Sequence, residues 1–505
     1  MKTALPVTRQ EDFAEWYQQV IRGADLAENA VVRGCMNIKP WGYAIWENIQ
    51  QRFDRLLKAT GHRNAYFPLL IPLSFLQREA QHVEGFAKEC AVVTHHRLTN
   101  QDGELKPDPD ARLEEPLIVR PTSETIVGDA FAKWIRSHKD LPLLINQWCN
   151  VMRWEMRPRM FLRTSEFLWQ EGHTAHATAE EATREARLIL DMYRDFALEA
   201  LCIPVLAGEK SAGERFPGAV TTWSIEAMMQ DGKALQAGTS HFLGQNFSRV
   251  YRIKFTDSLG EQLAWTTSWG MSTRLIGGVI MTHSDDNGLV LPPAIAPVHV
   301  RVLLLADEPE ELARLRSYAQ GLFDHGTVAA TVSGEPIRYE MTAAGRRPGE
   351  AFWDAVRQGV PLIVQIGRRE VDAGSVSVTR RTDADLRRQS IRAGDFLAHA
   401  LPVLASMRRE LLERARSFRD ANLVTVASTA QLTREFTSRA TSPFALCPIN
   451  LAAEAQPEVQ SVLGEHKLSI RCLPEGRYQE ELTPETKCIF TGIAATHIAV
   501  VARSY

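Results

Sequence analysis

A chain of 505 residues with 45% apolar and 24% charged residues has the length for two to four domains and the composition of a soluble globular protein. A formal net charge of −3 excludes a uniformly basic nucleic-acid coat, though not a local basic face. No run of eighteen apolar residues occurs, the first residues lack a signal-peptide core, and seven scattered cysteines make no dense framework, so a cytoplasmic chain with reduced thiols and no membrane span is expected.

Residues 9–60 read as helical, with Phe13, Trp16, Tyr17, Val20 and Ile21 on one face and Ile45, Ile49, Phe53 and Leu56 on another. A Gly/Pro-punctuated segment, 33–42, divides them. Residues 65–72 read as a strand whose prolines suit an edge or an interface. A short apolar strand at 117–119 leads into Arg-Pro-Thr-Ser-Glu-Thr (120–125) and a helix through Phe131, Trp134 and Ile135. Taken alone, that hexapeptide serves a helix cap as well as a binding site.

The stretch 153–173 reads RWEMRPRMFLRTSEFLWQEGH. Arg153, Arg157, Arg159 and Arg163 fall within eleven positions, and from Thr164 the apolar residues alternate, with Phe167 and Trp169 facing one way and Leu168 the other. This is a strand entered from a positively charged turn. It suits a polyanion docked against a flat or apolar group, and as a bare pattern it suits an edge strand with a solvated arginine loop equally. Thr178 and Glu181 then form a capping box, opening a long amphipathic helix through Ala186, Ile189, Tyr193, Phe196 and Ala200. QAGTSH follows at 236–241, and TSWGMSTRLIGG at 267–278 reads as a strand turning into a helix with Arg274 at the turn. Residues 291–297, Leu-Pro-Pro-Ala-Ile-Ala-Pro, read as a linker. Beyond it, strands at 298–306, 327–333, 361–367 and 375–379 alternate with helices near 309–324 and 350–358, an α/β domain. A helix-rich stretch, 394–420, leads to a last module carrying Cys447, Cys472 and Cys488.

Neither a Gly-x-x-x-x-Gly-Lys-Ser/Thr loop nor a strand followed by Gly-x-Gly-x-x-Gly occurs, so a nucleotide here is gripped by arginine forks on strands rather than by a glycine cradle. No Ser or Cys stands in a nucleophile motif. The chemistry left is attack of a substrate carboxylate on a nucleotide α-phosphate, which needs positioning, Mg²⁺ and charge neutralisation but no protein nucleophile.

RPTSET (120–125), RWE with LRTSEFLWQEGH (153–155 and 162–173), QAGTSH (236–241) and TSWGMSTRLIGG (267–278), in that order, resemble the signatures of the class II aminoacyl-tRNA synthetases. Within that family the resemblance is to the prolyl-tRNA synthetases of the archaeal/eukaryotic-like type. It implies a multidomain fold of α+β and α/β parts. A catalytic core built on an antiparallel sheet spans 1–296, an anticodon-binding-like α/β domain 297–405, and a small C-terminal α/β module, like a degenerate zinc-binding domain, 406–505. It implies ATP- and Mg²⁺-dependent activation of L-proline, transfer to tRNA(Pro), and a homodimer whose first motif includes Pro68. By the same resemblance, Arg153 grips the α-phosphate and meets the proline carboxylate, and Arg274, on the γ-phosphate side, completes the catalytic pair. Arg163, Thr164, Gln236, Thr239, Ser272 and Thr273 fall at ATP-contacting positions. Thr122 and Glu124 take the imino nitrogen, while Phe86, Trp169, Glu171, His173 and His241 bound the proline pocket. About ninety residues separate His173 from Trp265, too few for the inserted editing domain of the bacterial type. Apolar-pocket discrimination of roughly 10–200-fold then implies some misactivation of alanine or cysteine.

The chain departs from the family in two places. In the α/β domain it keeps Pro348-Gly349, Phe352 and Gly359-Val360-Pro361 but has Ala351, Val356 and Ile363 where the family has Lys, Glu and Arg. Apolar residues neither bond base edges nor neutralise phosphate, so altered anticodon recognition is expected. Arg368, Arg369, Arg380, Arg381, Arg387 and Arg388 then form either an RNA-backbone face or a solvated one. In the last module Ala452 stands where a partner for Cys447 is expected, and Cys488-Ile-Phe-Thr491 replaces a cysteine pair, which argues against zinc and for no metal site. Tyr505 matches the family's terminal tyrosine. Three readings follow: a ligase charging tRNA(Pro), a proline-activating paralogue with altered or lost anticodon recognition in a resistance or specialised role, and a non-catalytic regulatory paralogue. Arg153, Gln236, His241 and Arg274 together argue against the last.

Overall fold

The computed structural model describes residues 4–79, 89–324, 331–332, 334–342 and 347–505. Helix α1 (Phe13–Gly23) starts at Asp12, whose carboxylate accepts from the Ala14 and Glu15 N–H groups, and it buries Trp16, Tyr17, Val20 and Ile21. Helix α2 (Pro40–Ala59) has proline in its first turn and buries Ile45, Ile49, Phe53 and Leu57. Leu56, expected on this face, is 43% exposed, because the four-residue step from Phe53 returns to the core at Leu57. Of residues 65–72 only Leu70–Pro72 is a strand, paired with Arg112–Val119. Just before it, side chains replace the ladder. The Phe67 N–H donates to Gln147, and the buried Arg120 guanidinium takes the carbonyls of Phe67 and Pro68.

The main sheet has, in chain order, the strands β1 (Arg63–Asn64), β2 (Leu143–Met152), β3 (Glu166–His176), β4 (Val205–Glu209), β5 (Thr221–Met228), β6 (Ala234–Gly244) and β7 (Trp265–Ser272). Their spatial order is β4-β5-β6-β7-β3-β2-β1, antiparallel throughout except for β1 on β2. Helix α3 (Glu124–Trp134) follows the RPTSET segment, and α4 (Ala179–Glu199) is capped by Thr178, whose side chain accepts from the Glu181 N–H. The α4 residues Ala186, Ile189, Tyr193 and Phe196 cover the back of the sheet, with Tyr193 stacked on Phe53 at 5.2 Å. After β7 the chain turns directly into α5 (Arg274–His283), as its pattern predicts.

The second sheet runs β9-β8-β10-β11-β12, from β8 (Val300–Leu304), β9 (Tyr339–Met341), β10 (Leu362–Ile366), β11 (Ser375–Arg380) and β12 (Arg388–Arg392). β8 is parallel to β9 and β10, and the last two pairings are antiparallel. Strand β12 has no apolar alternation, being an exposed, arginine-bearing edge, and that hides it from the sequence pattern. Helices α6 (Pro309–Asp324) and α7 (Pro348–Arg357) pack here.

Three expectations for this region are corrected. Residues 291–297 are no free linker: Leu291, Ala294, Ile295 and Ala296 are buried in the main core. Arg52 takes the Ala294 carbonyl, Asn48 those of Ile295 and Ala296, and Arg338 those of Ala296 and Pro297. Ala351, Val356 and Ile363 are core residues, packed with Leu303, Ala355 and Val360 between α7 and the sheet. Buried positions present nothing to RNA, so they provide no basis for altered anticodon recognition. Arg381 is likewise no surface cation. Both its terminal nitrogens pair with Asp285, at 2.7 and 2.8 Å, and its Nε donates to the Val356 carbonyl. Arg368, Arg369, Arg387 and Arg388 are exposed, whereas Arg380 pairs with Glu410.

Helix α8 (Phe396–Ala421) leads to the last sheet of β13 (Leu423–Thr425), β14 (Phe444–Ile449), β15 (Ser469–Pro474) and β16 (His497–Ala502). This sheet continues the main one. β15 pairs with β4 through Gly208↔Pro474 and Glu209↔Leu473, giving eleven strands from β13 to β1. Gly208 permits the junction, since a Cβ there would lie 2.2 Å from the Leu473 carbonyl oxygen. Tyr505 closes the same seam, donating its N–H to the Ala234 carbonyl and its hydroxyl to Asp231. Cys447, Cys472 and Cys488 are buried here. Among the described residues no three His, Cys, Asp or Glu side chains gather as a metal site, and no helix is long and apolar enough to cross a membrane.

Candidate functional site

A cavity of about 290 Å³ opens on the face of the sheet away from α4. Strand registry explains which residues reach it. Trp169, Glu171 and His173 of β3 lie opposite Ser272, Gly270 and Ser268 of β7, while Thr239 and His241 of β6 lie opposite Gly270 and Ser268. Thr222 and Ser224 of β5 continue the row beside His241 and Thr239. Alternate residues of four strands therefore share one face. Gly270, flanked by Glu171 and Thr239, contributes no side chain and leaves the floor open.

At one end, Thr122 donates to Glu124 at 2.5 Å, both at the start of α3. The Ser123 hydroxyl does not cap the helix but donates to Glu171, 2.5 Å away. The same Glu171 oxygen accepts from Gln147 (2.8 Å) and Cys149 (3.3 Å), and its other oxygen meets His173 Nε2 at 3.3 Å. Burial works against a charge on Glu171, yet the bonds from His173, Ser123 and Gln147 outweigh it and hold the carboxyl below its usual range. Burial also opposes protonation of His173, and its bond to Glu171, with Glu124 nearby, outweighs that and raises its pKa. His241 goes the other way: burial first, then the positive charges of His173 and Arg153, pull it down to about 3. A neutral imidazole thus stacks on Phe216 at 4.5 Å, with its Nδ1 bonded to Thr222. Burial, then the Glu171 charge, drive the Cys149 thiol far up, so it supplies no thiolate.

Arg153 stands mid-cavity. Its Nε donates to the Pro121 carbonyl, and its guanidinium lies 5.6 Å from the Phe167 ring centre and 5.3 Å from that of Trp169. Burial lowers its pKa, with Glu124 and Glu171 opposing. At the other end, Gln236, Thr239, Ser272, Arg274 and Lys210 line the wall. Burial, then Arg153 and Arg163, bring Arg274 down to about 10, against the pull of Glu226, so it stays cationic. Its Nε donates to the Leu162 carbonyl, which fixes the guanidinium's direction.

The fold thus gathers Thr122, Glu124, Arg153, Trp169, Glu171, His173, Gln236, Thr239, His241, Ser272 and Arg274 in one cavity. Arg163, Thr164 and Thr273 lie outside its lining. Arg163 is half exposed and paired with Glu155; Thr164 donates to the Glu166 carbonyl; Thr273 is buried at the head of α5. Phe86 falls outside the described residues. Sequence reasoning misses Ser123, Gln147, Lys210, Phe216, Glu226 and Arg471. Phe216 and Lys210 flank a loop without periodicity, and only the β4–β15 pairing brings Arg471 to Glu226. Ser123 was legible within RPTSET, but as a cap.

Residues 107–283 match the model of the tRNA synthetase class II core domain (G, H, P, S and T), and residues 299–398 that of an anticodon binding domain. Over the whole chain, the protein is 51% identical to a proline--tRNA ligase of Bdellovibrio bacteriovorus, covering 99% of that relative. It is 51% identical to a proline--tRNA ligase of Rhodopirellula baltica, covering 98% of it, again along the full chain. It is also 48% identical, over 100% of the chain and 99% of the relative, to a protein named proline--tRNA ligase 2 of Anaeromyxobacter dehalogenans.

Proposed function

The chain belongs to the class II aminoacyl-tRNA synthetases, in the family of the proline--tRNA ligases, and we propose that it activates L-proline with ATP and passes the prolyl group to tRNA(Pro). The observation that carries the reading is the polarity of the cavity, acidic and aromatic at one end and cationic at the other, with Arg153 between. A compact ring with a secondary ammonium group calls for a carboxylate beside aromatic walls, which Glu124, Trp169 and the Phe216–His241 pair supply. A triphosphate calls for converging cations, which Arg153 and Arg274 supply.

In this reading proline lies with its ammonium toward Thr122 and Glu124, and its carboxylate oxygen attacks the α-phosphorus. A C–O–P linkage forms, the bond to the bridging oxygen breaks, and pyrophosphate leaves with the electron pair. Arg153 neutralises both the entering carboxylate and the charge on the phosphoryl oxygens; one preorganised donor of this kind is worth about 3–4 kcal/mol. Arg274 holds the leaving pyrophosphate. A tRNA terminal ribose hydroxyl then displaces AMP from prolyl-adenylate. Mg²⁺ bound with the nucleotide would shield the charge between its phosphates, and the side-chain oxygens of Gln236 and Thr239 on the cavity wall would hold it beside ligands from phosphate and water.

We also propose that the α/β domain holds the anticodon arm, with exposed Arg368, Arg369, Arg387 and Arg388 as backbone contacts, and that the chain works as a homodimer. No observation favours a proline-activating paralogue that ignores the anticodon. The test is proline-dependent pyrophosphate exchange, run beside charging of tRNA(Pro) transcripts with native and altered anticodons. The expected result is exchange, charging that falls with altered anticodons, and loss of exchange by about 10²-fold or more in Arg153→Ala. Exchange within about tenfold of the parent in that variant sinks the role given to Arg153.

A further inference from the structure

Glu226 lies behind the nucleotide end of the cavity with no solvent exposure, and three side chains share it. Lys210 Nζ donates to Oε1 at 2.9 Å, as does the Ser224 hydroxyl, while Arg471 reaches Oε2 through Nε and Nη2, both at 3.1 Å. Lys210 lines the cavity, and Gln236, another lining residue, is the strand partner of Glu226. Arg471 comes from β15, in the last module, and its third nitrogen is held by Ser469 at 3.1 Å. The cluster is therefore assembled from two distant parts of the chain across the Gly208 junction.

Lys210, which holds Oε1, is the member of the cluster that lines the cavity. A buried carboxylate that loses one of two cationic partners draws the remaining one closer. We infer that Arg471 is a positioning residue for nucleotide binding: by occupying Oε2 of Glu226 it keeps that carboxylate from drawing the Lys210 ammonium wholly to itself, so that Lys210 stays available to the substrate polyphosphate at the cavity wall. The last module thereby completes the ATP end of the site, with no contact of its own to substrate. This rests on the proposed proline- and ATP-dependent reaction.

The test is pyrophosphate exchange with ATP and proline varied separately in wild type, Arg471→Met, and Arg471→Met combined with Glu226→Gln. The expected result for Arg471→Met is an ATP KM raised about tenfold and a proline KM within about twofold of wild type. Adding Glu226→Gln removes the stray charge and restores the ATP KM to within about threefold. If Arg471→Met does not accumulate as folded protein, Arg471→Lys is read by the same criteria; it keeps the charge but loses the two-nitrogen grip, and an ATP-selective rise of about threefold is expected. An unmoved ATP KM, equal rises in both constants, or a double variant worse than the single one overturns the inference. Wild type without proline-dependent exchange overturns instead the reading of the reaction on which it rests.

Discussion

Glu124 and His173 set the chemistry of the amino-acid end in different ways, and each has its own consequence. Glu124 accepts from Thr122 and lines the cavity, so Glu124→Gln removes the charge that meets a substrate ammonium while keeping the shape. The proline KM should rise by about 10-fold or more, with the ATP KM nearly unchanged; steady-state exchange measures both, and the reverse pattern means the pocket is misassigned. His173 is raised by Glu171, so its folded pKa lies above its unfolded value of about 6.5. A group raised on folding contributes stability that is full below the unfolded pKa and fades as pH rises through the folded one. Urea midpoints taken from about pH 6 to about pH 9 should show the advantage of wild type over His173→Asn shrinking with pH; a constant gap contradicts a protonated His173. Trp169, Glu171 and His173 were legible because the run 167–173 alternates and so shares one face, whereas Thr122 and Glu124, at the head of a helix, stood out only through the resemblance of RPTSET. Lys210 and Arg471 were not legible. Each is a lone cation in its own stretch, and its meaning appears only where β15 meets β4.

At the scale of elements, helices and strands with strong apolar periodicity form where the pattern puts them: α1, α2, α4, β3, β10 and the turn from β7 into α5. Misreadings came where polar contacts override local signals. Three prolines in 291–297 look like a linker, yet Arg52, Asn48 and Arg338 bind its carbonyls and the segment is buried. Ala351, Val356 and Ile363 look like lost RNA contacts and are instead the interior of the α7–sheet layer. Arg381 looks like one basic residue among several, but it ties the end of β11 to Asp285 beyond α5. Arg381→Met leaves Asp285 without its ion-pair partner and two carbonyls, Val356 and Gly288, without this donor. The expected loss is about 3 kcal/mol by denaturant titration. Burial opposes the Asp285 charge, but Arg381 outweighs it and depresses the folded pKa below 3.8, so this stability is present above about pH 4 and lost as pH falls through the folded value. The wild-type advantage should therefore shrink in acid to the part owed to the two carbonyl bonds. A variant as stable as wild type near neutrality removes the staple from the account.

At the scale of the whole molecule, the eleven-stranded sheet has unlike ends. One end is closed by the last module, folded back through β15 and Tyr505. The other stops at β1, two exposed residues long, with an edge that no described strand covers. Beside that edge, Tyr66 is 71% exposed and Val92 52%, with Leu70 also on the surface, all on or next to the small sheet of Leu70–Pro72, Val92–His95 and Arg112–Val119. Apolar residues clustered at an open sheet edge favour a protein partner, and a symmetric second copy is the commonest one. The same surface is tied to the chemistry. Arg120 grips the carbonyls of Phe67 and Pro68, next to Tyr66, and the chain goes on from Arg120 to Thr122 and Glu124 in the cavity. A copy docked on Tyr66 and Leu70 would therefore steady the amino-acid end of the site from behind. Sedimentation at about 10 µM should show a dimer, a state that requires roughly 1,200–2,000 Å² of buried surface. Tyr66→Glu combined with Leu70→Glu should give a folded monomer with a raised proline KM. A wild-type monomer at that concentration refutes the interface. A double variant that is monomeric yet fully active refutes its link to Glu124 while leaving the interface intact.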